Sequence, residues 1–295
     1  MKRLSFILLL CSIVSVASAQ KITHTFQDVP LSDALRYIQE QTTDYNITFI
    51  YDELEDFRVT THLQNKPVPD AIVQLAGFYP VRVVKSGKHE IYVECTHKTD
   101  LHLTGTIIDE QGQPVAYANI ALLNPADSTL LSGGISNESG VFVIPIDQPN
   151  VIARISYIGY KTIYKQCHNT DLGTIRMQPE TLTLKGVTVK GHRLLYTATD
   201  KGLKISVHGT PLEQFGSVSE MLTHLPLMMS NGEIAGRGKP EIYINNKKVR
   251  NEAELERLSA DEILLAEIIT NPGVEYGAEV TCVIKLKTIR KTGEG

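Results

Sequence analysis

Two stretches decide how the N-terminal part of this chain folds. They are Phe26-Gln27-Asp28-Val29-Pro30-Leu31-Ser32-Asp33-Ala34-Leu35 and Leu63-Gln64-Asn65-Lys66-Pro67-Val68-Pro69-Asp70-Ala71-Ile72, one pattern repeated at an offset of 37 residues. In each, a short strand runs into a proline at a helix entrance, where the missing N–H costs nothing because the first helical turn has no partner for it. The helices then bury Leu31, Ala34, Leu35 and Ile38 in one copy and Val68, Ala71, Ile72 and Leu75 in the other. That i, i+3, i+4, i+7 spacing is the apolar stripe of an amphipathic helix. Strands are predicted over 47–51 and 81–84, the latter facing 91–93 across the Ser86-Gly87 turn. Two copies are too few for a solenoid. One small α+β domain with two helices is expected instead.

Outward from the repeat, the helical period disappears between 101 and 178. Leu101, Leu103 and Gly105 alternate with polar residues, and further strands are predicted over 118–123, 130–136, 141–146, 151–158, 161–164 and 173–177. Turns at 109–112, 124–125, 137–140 and 148–150 separate them. Short strands punctuated in this way suggest a β-sandwich. The last part is mixed. Ser217 and Glu220 form a capping-box pattern, and the helix they open presents Val218, Met221, Leu222 and Leu225 on one face before Pro226 stops it. Asn231-Gly232 reads as a hairpin turn, 241–244 as a strand, Asn245-Asn246 as a turn and 252–258 as a short helix. The capping-box pattern recurs at Ser259 and Glu262, and Val283-Ile284-Lys285-Leu286-Lys287 alternates as a half-buried strand does.

Composition narrows the function. Lys2 and Arg3, an apolar run over 4–16 and Ala17-Ser18-Ala19 have the three parts of an export signal, cleaved before Gln20. Cys11 does not read as a lipid-attachment site, because Leu9 and Leu10 rather than small residues precede it. Losing Lys2 and Arg3 moves the formal charge from −4 to −6, which argues against a nucleic-acid partner. Cys95, Cys167 and Cys282 remain, an odd and widely spaced set that allows at most one disulfide. No enzyme motif emerges. His89-Glu90 stands too far from His97 for a zinc-protease helix, no G-x-S-x-G elbow occurs, and Gly236-Arg237-Gly238-Lys239 lacks phosphate-loop spacing. Cys95, His97 and His102 are a candidate metal cluster, weighed against solvated histidines at a domain junction. Tyr157, Tyr160 and Tyr164 read as sandwich core and edge, and Lys285, Lys287, Arg290 and Lys291 as the solvated face of a terminal strand.

Three resemblances follow from the wording. "VPLSDALRYIQEQT...ITFIYD" with "KPVPDAIVQLAG" resembles the short N-terminal domain of secretins and TonB-dependent receptors, a periplasmic protein-binding module. "TGTIIDEQGQPVAYANIALL", "GGISNESGVFVI" and "ARISYIGYKT" are similar to the carboxypeptidase regulatory-like domain, a seven-stranded sandwich without peptidase activity. "SVSEMLTHLPLMMSNGEIAGRGKPEIYINNKKV" and "LSADEILLAEIITNPGVEYGAEVTCVIKLKT" resemble the plug domain of TonB-dependent outer-membrane receptors, with Thr281 and Cys282 where that family often has two glycines. The expected fold class is multidomain α+β and all-β: a small α+β domain with two helices, a seven-stranded β-sandwich and a mixed α/β plug-like domain. The corresponding divisions are 1–19 signal peptide, 20–98, 99–180, a linker over 181–209, and 210–295.

Within the linker, Leu184, Lys185, Gly186, Val187, Thr188 and Val189 lie where the family keeps its TonB box. An extended, β-branched strand suits pairing with a partner's sheet, although the same residues read equally as the last strand of the sandwich or the first of the plug. The resemblance implies a non-enzymatic periplasmic part of a TonB-dependent outer-membrane receptor for nutrient uptake or transmembrane signalling, with no cofactor. Its partners would be TonB or an anti-sigma regulator, together with an outer-membrane barrel. Such a barrel has about 22 strands and needs roughly a couple of hundred residues. None follows Gly295, so the expectation is a receptor part truncated before its barrel, or alternatively a stand-alone periplasmic adaptor.

Overall fold

The repeat seen in the sequence is also a repeat of backbone geometry. The computed structural model describes residues 20–180, 183–184, 187–188, 196–199, 201–229, 231–270, 272, 274–277 and 279–289, and the predicted export signal lies outside them. The first part contains β1 (Lys21–Pro30), α1 (Leu31–Gln41), β2 (Asn46–Phe49), α2 (Tyr51–Leu54), β3 (Arg58–Pro67), α3 (Val68–Ala76), β4 (Val81–Ser86) and β5 (Glu90–Cys95). β1 and β3, 37 residues apart at both ends, pair antiparallel, while β5 lies between β2 and β4. Asp28 and its repeat equivalent Asn65 both adopt left-handed backbone, at φ 51° and 53°. Short polar side chains tolerate that conformation best after glycine. The two turns are tied reciprocally. The Asp28 N–H donates to Thr60 Oγ1 at 3.0 Å and the Asn65 N–H to Thr23 Oγ1 at 2.9 Å.

Both predicted helical stripes are buried. α1 buries Leu31, Ala34, Leu35 and Ile38, and α3 buries Val68, Ala71, Ile72 and Leu75, all in one core with Phe57, Leu63 and Val81. Each fully buried leucine or isoleucine contributes about 1.5–3 kcal/mol relative to exposure. The strand predicted over 47–51 is shorter than expected. It ends at Phe49, because Tyr51 opens the four-residue α2, which sends Leu54 into the core and lets the Tyr51 hydroxyl donate to Asp33 at 2.8 Å. The first part therefore has a third, short helix beyond the two expected.

The second part contains β6 (His102–Ile108), β7 (Asn119–Leu123), β8 (Leu130–Ile135), β9 (Val141–Pro145), β10 (Val151–Ser156), β11 (Ile163–Cys167) and β12 (Asp171–Arg176). They form a four-stranded sheet, β11-β10-β7-β8, and a three-stranded sheet, β12-β6-β9. The inward residues, among them Leu103, Ile107, Ile120, Phe142 and Ile155, share one core, as in facing sheets. Gly140 is obligatory here: at φ 75° a Cβ would meet the Ile107 carbonyl oxygen at 2.3 Å. β11 starts two residues later than predicted, because the Lys161 N–H is taken by the Gln178 carbonyl and Tyr160 bridges to Pro179.

The remaining strands are β13 (Thr183–Leu184), β14 (Val187–Thr188), β15 (Tyr196–Ala198), β16 (Gly202–Ser206), β17 (Glu241–Ile244), β18 (Lys247–Lys248), β19 (Ile263–Ile269) and β20 (Val283–Thr288), with helices α4 (Val218–Thr223) and α5 (Glu252–Arg257). Six of the strands form one sheet, β15-β16-β19-β20-β17-β18. Its inner face, carrying Leu203, Ile205, Ala266, Ile268, Ile284 and Leu286, packs against Val218, Met221, Leu222 and Leu225. Ser217 caps α4 by accepting from the Glu220 N–H, but Glu220 reaches back to the Gly216 N–H at 3.1 Å rather than closing the reciprocal box. Asn245 and Asn246, both at positive φ, turn β17 into β18 as a primed hairpin turn requires. At Ser259 the second capping pattern opens only a 3-10 turn, and "ILLAEIIT" continues as β19. The described molecule is thus mostly β, in several sheets with five α-helices, with α+β and all-β parts. Cys95, Cys167 and Cys282 are free and buried, one in each of three separate cores, so no disulfide links them.

Candidate interaction sites

The 184–189 segment is described only in part. Leu184 pairs antiparallel with Val187 and Thr183 with Thr188, whereas Lys185, Gly186 and Val189 lie outside the described residues. The described residues are therefore self-paired. A partner strand would use an outward side of this hairpin or would first open it.

A second site lies where the three parts meet. Asn137, at the β8–β9 turn, donates to the Arg58 carbonyl at 2.9 Å, and the Tyr79 hydroxyl donates to the same carbonyl at 2.6 Å. Ser139 bonds Thr60 at 3.0 Å. Arg237 donates to the Thr270 carbonyl at 2.6 Å within its own part and to the Tyr79 carbonyl at 3.2 Å in the first part. Asn119 links β7 to the third part, donating to the Leu225 carbonyl at 3.0 Å and accepting from the Leu227 N–H at 2.6 Å. Met229 fills a notch at Gly133, where a Cβ would stand 2.0 Å from the Met229 methyl carbon. An edge-on aromatic chain, Phe78–Tyr117–Tyr196–Tyr157, runs along the seam with centroid distances of 5.8, 6.3 and 5.6 Å.

Beside this seam lies a cleft of about 70 Å³, lined in part by Arg58, Thr60, Gln74, Tyr79, Tyr117 and Lys201. Burial pushes the Tyr79 and Tyr196 phenols up, and it pushes Tyr117 up with help from the Glu138 carboxylate, which accepts its hydroxyl at 3.1 Å. These phenols stay protonated near neutrality, which suits hydrogen-bond donation and packing rather than general-base work. Burial pushes the Arg237 guanidinium down to about 10, and carbonyl groups rather than a carboxylate solvate it. None of Tyr79, Asn119, Asn137 or Arg237 stands out as a site residue in the sequence. Asn137 reads there only as part of a turn, and local pattern carries no signal for bonds between residues 58 and 158 positions apart.

The weaker candidates are dispersed. His97 faces Asp147 at 3.0 Å, His102 faces Asp56 at 2.7 Å, and the Cys95 thiol donates to the His97 carbonyl. Among the described residues no three such side chains come together as a metal site. Tyr157 packs between Tyr160 and Tyr196, while Tyr164 stands exposed on β11. Among the described residues no helix is long and apolar enough to cross a membrane, which says nothing of β-barrel strands.

No protein-family model matches the chain, and no curated protein matches it. Among solved structures, a point mutant of the shaft pilin SpaA from Lactobacillus rhamnosus GG is similar at 13% identity and TM-score 0.24, over 31% of this chain and 49% of the pilin. A second point mutant of that pilin is similar at 15% identity and TM-score 0.24, over 34% of this chain and 59% of the pilin. A 9R-lipoxygenase from Cyanothece PCC8801 is similar at 14% identity and TM-score 0.20, over 32% of this chain and 18% of the enzyme. The chain thus spans about half to three fifths of these two pilin chains. Scores this low define no common fold.

Proposed function

We propose that this chain is the non-enzymatic periplasmic part of a TonB-dependent outer-membrane receptor, serving nutrient uptake or transmembrane signalling. In this reading 20–98 is the protein-binding module, 99–180 the carboxypeptidase regulatory-like sandwich, 181–209 the stretch that carries the TonB box, and 210–295 the plug, whose sheet also takes in β15 and β16 from the end of that stretch. The observation that supports it is the order along the chain of a twofold repeated α+β core, a four-plus-three-stranded sandwich core and a six-stranded mixed sheet. The wording of the same three stretches resembles those three families in the same order.

A stand-alone periplasmic adaptor is the second reading. It is favoured by the way the third part seats Met229 and Leu225 on the sandwich and Arg237 on the first part, surfaces that a surrounding barrel would then not share. One experiment separates the two. The chain is expressed in its own cell envelope, with cysteines placed at 184 and 187, and cross-linked in the presence and absence of TonB. Cross-links to TonB from an outer-membrane fraction support the receptor. Cross-links from the soluble periplasmic fraction support the adaptor, and no TonB adduct at either position overturns the TonB-box assignment.

A further inference from the structure

One sheet of the molecule ends on a long, regular strand. β4 is the outer strand of the β2-β5-β4 sheet, and its six-residue register with β5 runs unbroken from Val81↔Cys95 to Ser86↔Glu90. Sheet-terminal strands usually carry a bulge, a proline or a covering element, because free N–H and C=O groups invite another strand. Elsewhere among the described residues, sheet-terminal strands are protected or short. β1 and β3 share two register shifts, β12 and β8 have one each, and β9 ends in Pro145. β2, β15 and β18 have four residues or fewer, and β11 has the Lys165 side chain folded across to the Leu172 carbonyl.

One backbone hydrogen bond establishes which groups of β4 face outward. The Pro80 carbonyl accepts from the Thr96 N–H at 2.7 Å, so Pro80 faces β5. Antiparallel alternation then turns the backbone of Arg82, Val84 and Ser86 toward β5, and that of Val81, Val83 and Lys85 outward. Val81 is already engaged. Its N–H donates to the Tyr79 carbonyl at 2.7 Å and its carbonyl accepts from Arg237 at 3.5 Å. The N–H and C=O groups of Val83 and Lys85 have no partner among the described residues, which leaves two donors and two acceptors at the edge.

The side chains along that edge select the charge of an occupant. Arg82, Lys85 and, in the turn that follows, Lys88 are exposed, and the chain as a whole is negative. Arg82 pairs with Glu94, but among the described residues the Lys85 ammonium rests only on the Tyr45 ring, 5.6 Å from its centroid. Between the cations, Val84 and its cross-strand neighbour Tyr92 are exposed on one face. We propose that β4 is a strand-addition site for an extended acidic segment of a partner protein. The backbone of that segment pairs with Val83 and Lys85, its carboxylates meet Lys85 and Lys88, and one apolar side chain covers Val84 and Tyr92. Symmetric pairing with the β4 of a second copy does not fit, because it would bring the same three cations against these. The β4 site is independent of the TonB reading, since an acidic strand adds to β4 whether or not TonB pairs with 184–189.

The test uses the full chain and a capped octapeptide alternating glutamate with valine, beside the same peptide N-methylated at alternate amides. Saturable binding is expected, with the Val83 and Lys85 amides slowed in hydrogen exchange roughly tenfold. The methylated peptide is expected to bind about tenfold more weakly. Lys85→Pro removes one outward N–H and spares the β4–β5 ladder, and should likewise lose about tenfold. Lys85→Gln keeps that N–H and should lose about threefold. If Lys85→Pro unfolds the sheet by circular dichroism, the methylated peptide and Lys85→Gln decide. Equal binding of methylated and plain peptides, or no saturable binding of the plain one, overturns the proposal.

Discussion

In the first copy of the repeat, β1 begins and α1 ends at solvent-facing Lys21 and Gln41. In the second, the equivalent positions are Arg58 and Phe78, and they meet the rest of the molecule. The apolar stripes, the left-handed turn residues and the reciprocal threonine bonds are common to both copies. What differs is a handful of positions outside that shared pattern. Thr42 in the first copy corresponds to Tyr79 in the second, whose hydroxyl holds the Arg58 carbonyl and whose own carbonyl takes Arg237. Duplicated local instructions yield the same fold twice, and docking is added to one copy by residues that the fold itself does not need.

The largest test of that equivalence lies in the shared part. Leu35 and Ile72 occupy the same repeat position and are both fully buried in one core. Leu35→Ala and Ile72→Ala should each cost about 2–5 kcal/mol in denaturant unfolding, with a difference between them of no more than about 1 kcal/mol. A loss under about 1 kcal/mol at either site would break the comparison, because that copy would then not depend on its stripe.

The next test separates the copies. Burial raises the pKa of Tyr79, as it does for Tyr117 and Tyr196 along the seam. Below about pH 10, the ordinary tyrosine value, folded and unfolded chains both keep the proton and the contribution is fully present. Above it the unfolded chain releases the proton and the folded chain does not. Stability should therefore fall with rising pH, by about 1.4 kcal/mol per pH unit for each such tyrosine, until the folded pKa is reached. Tyr79→Phe should make the decline between pH 10 and 11 shallower by about 1 kcal/mol, because the unfolded phenol is only half ionised at its ordinary pKa, measured from denaturant melts at each pH. At pH 7 the same change should cost only about 1 kcal/mol, because Asn137 still donates to the Arg58 carbonyl. An unchanged alkaline slope would mean that Tyr79 is not enclosed at the seam.

Much of this could be read in the sequence, for a physical reason. A period of 3.6 or 2 is written in consecutive residues, so α1, α3, α4 and the sandwich strands announce themselves through their apolar positions. α2 does not, because one turn of helix at Tyr51 has too few residues for a period to show. The matched left-handed turns were within reach: Asp28 and Asn65, both tolerant of positive φ, stand at the repeat offset. The seam was not. Arg237 to Tyr79, Asn119 to Leu225 and Met229 against Gly133 join residues about a hundred or more apart, and each side chain would look ordinary in a loop. The site assignments made from wording, including the 184–189 segment, depend on partners that the chain alone does not contain.

The smallest and sharpest test of the repeat uses its crossed threonine bonds. Thr60 Oγ1 accepts from the Asp28 N–H, and Thr23 Oγ1 accepts from the Asn65 N–H, so each copy stabilises the turn of the other. Thr23→Ala should therefore speed hydrogen exchange at Asn65 and leave Asp28 unchanged, and Thr60→Ala should do the reverse. Both turns are exposed, so water can replace the lost acceptor and each change should cost no more than about 1 kcal/mol. The two costs should still differ. Thr60 Oγ1 also bonds Ser139 of the sandwich at 3.0 Å, whereas no described residue outside the first part bonds Thr23, so Thr60→Ala should be the costlier. Ser139→Ala in the Thr60→Ala background should then add nothing further, since their shared bond is already gone. Exchange that quickens at both turns in either single variant would mean that the ribbon opens as one unit, and that the copies are coupled rather than reciprocal.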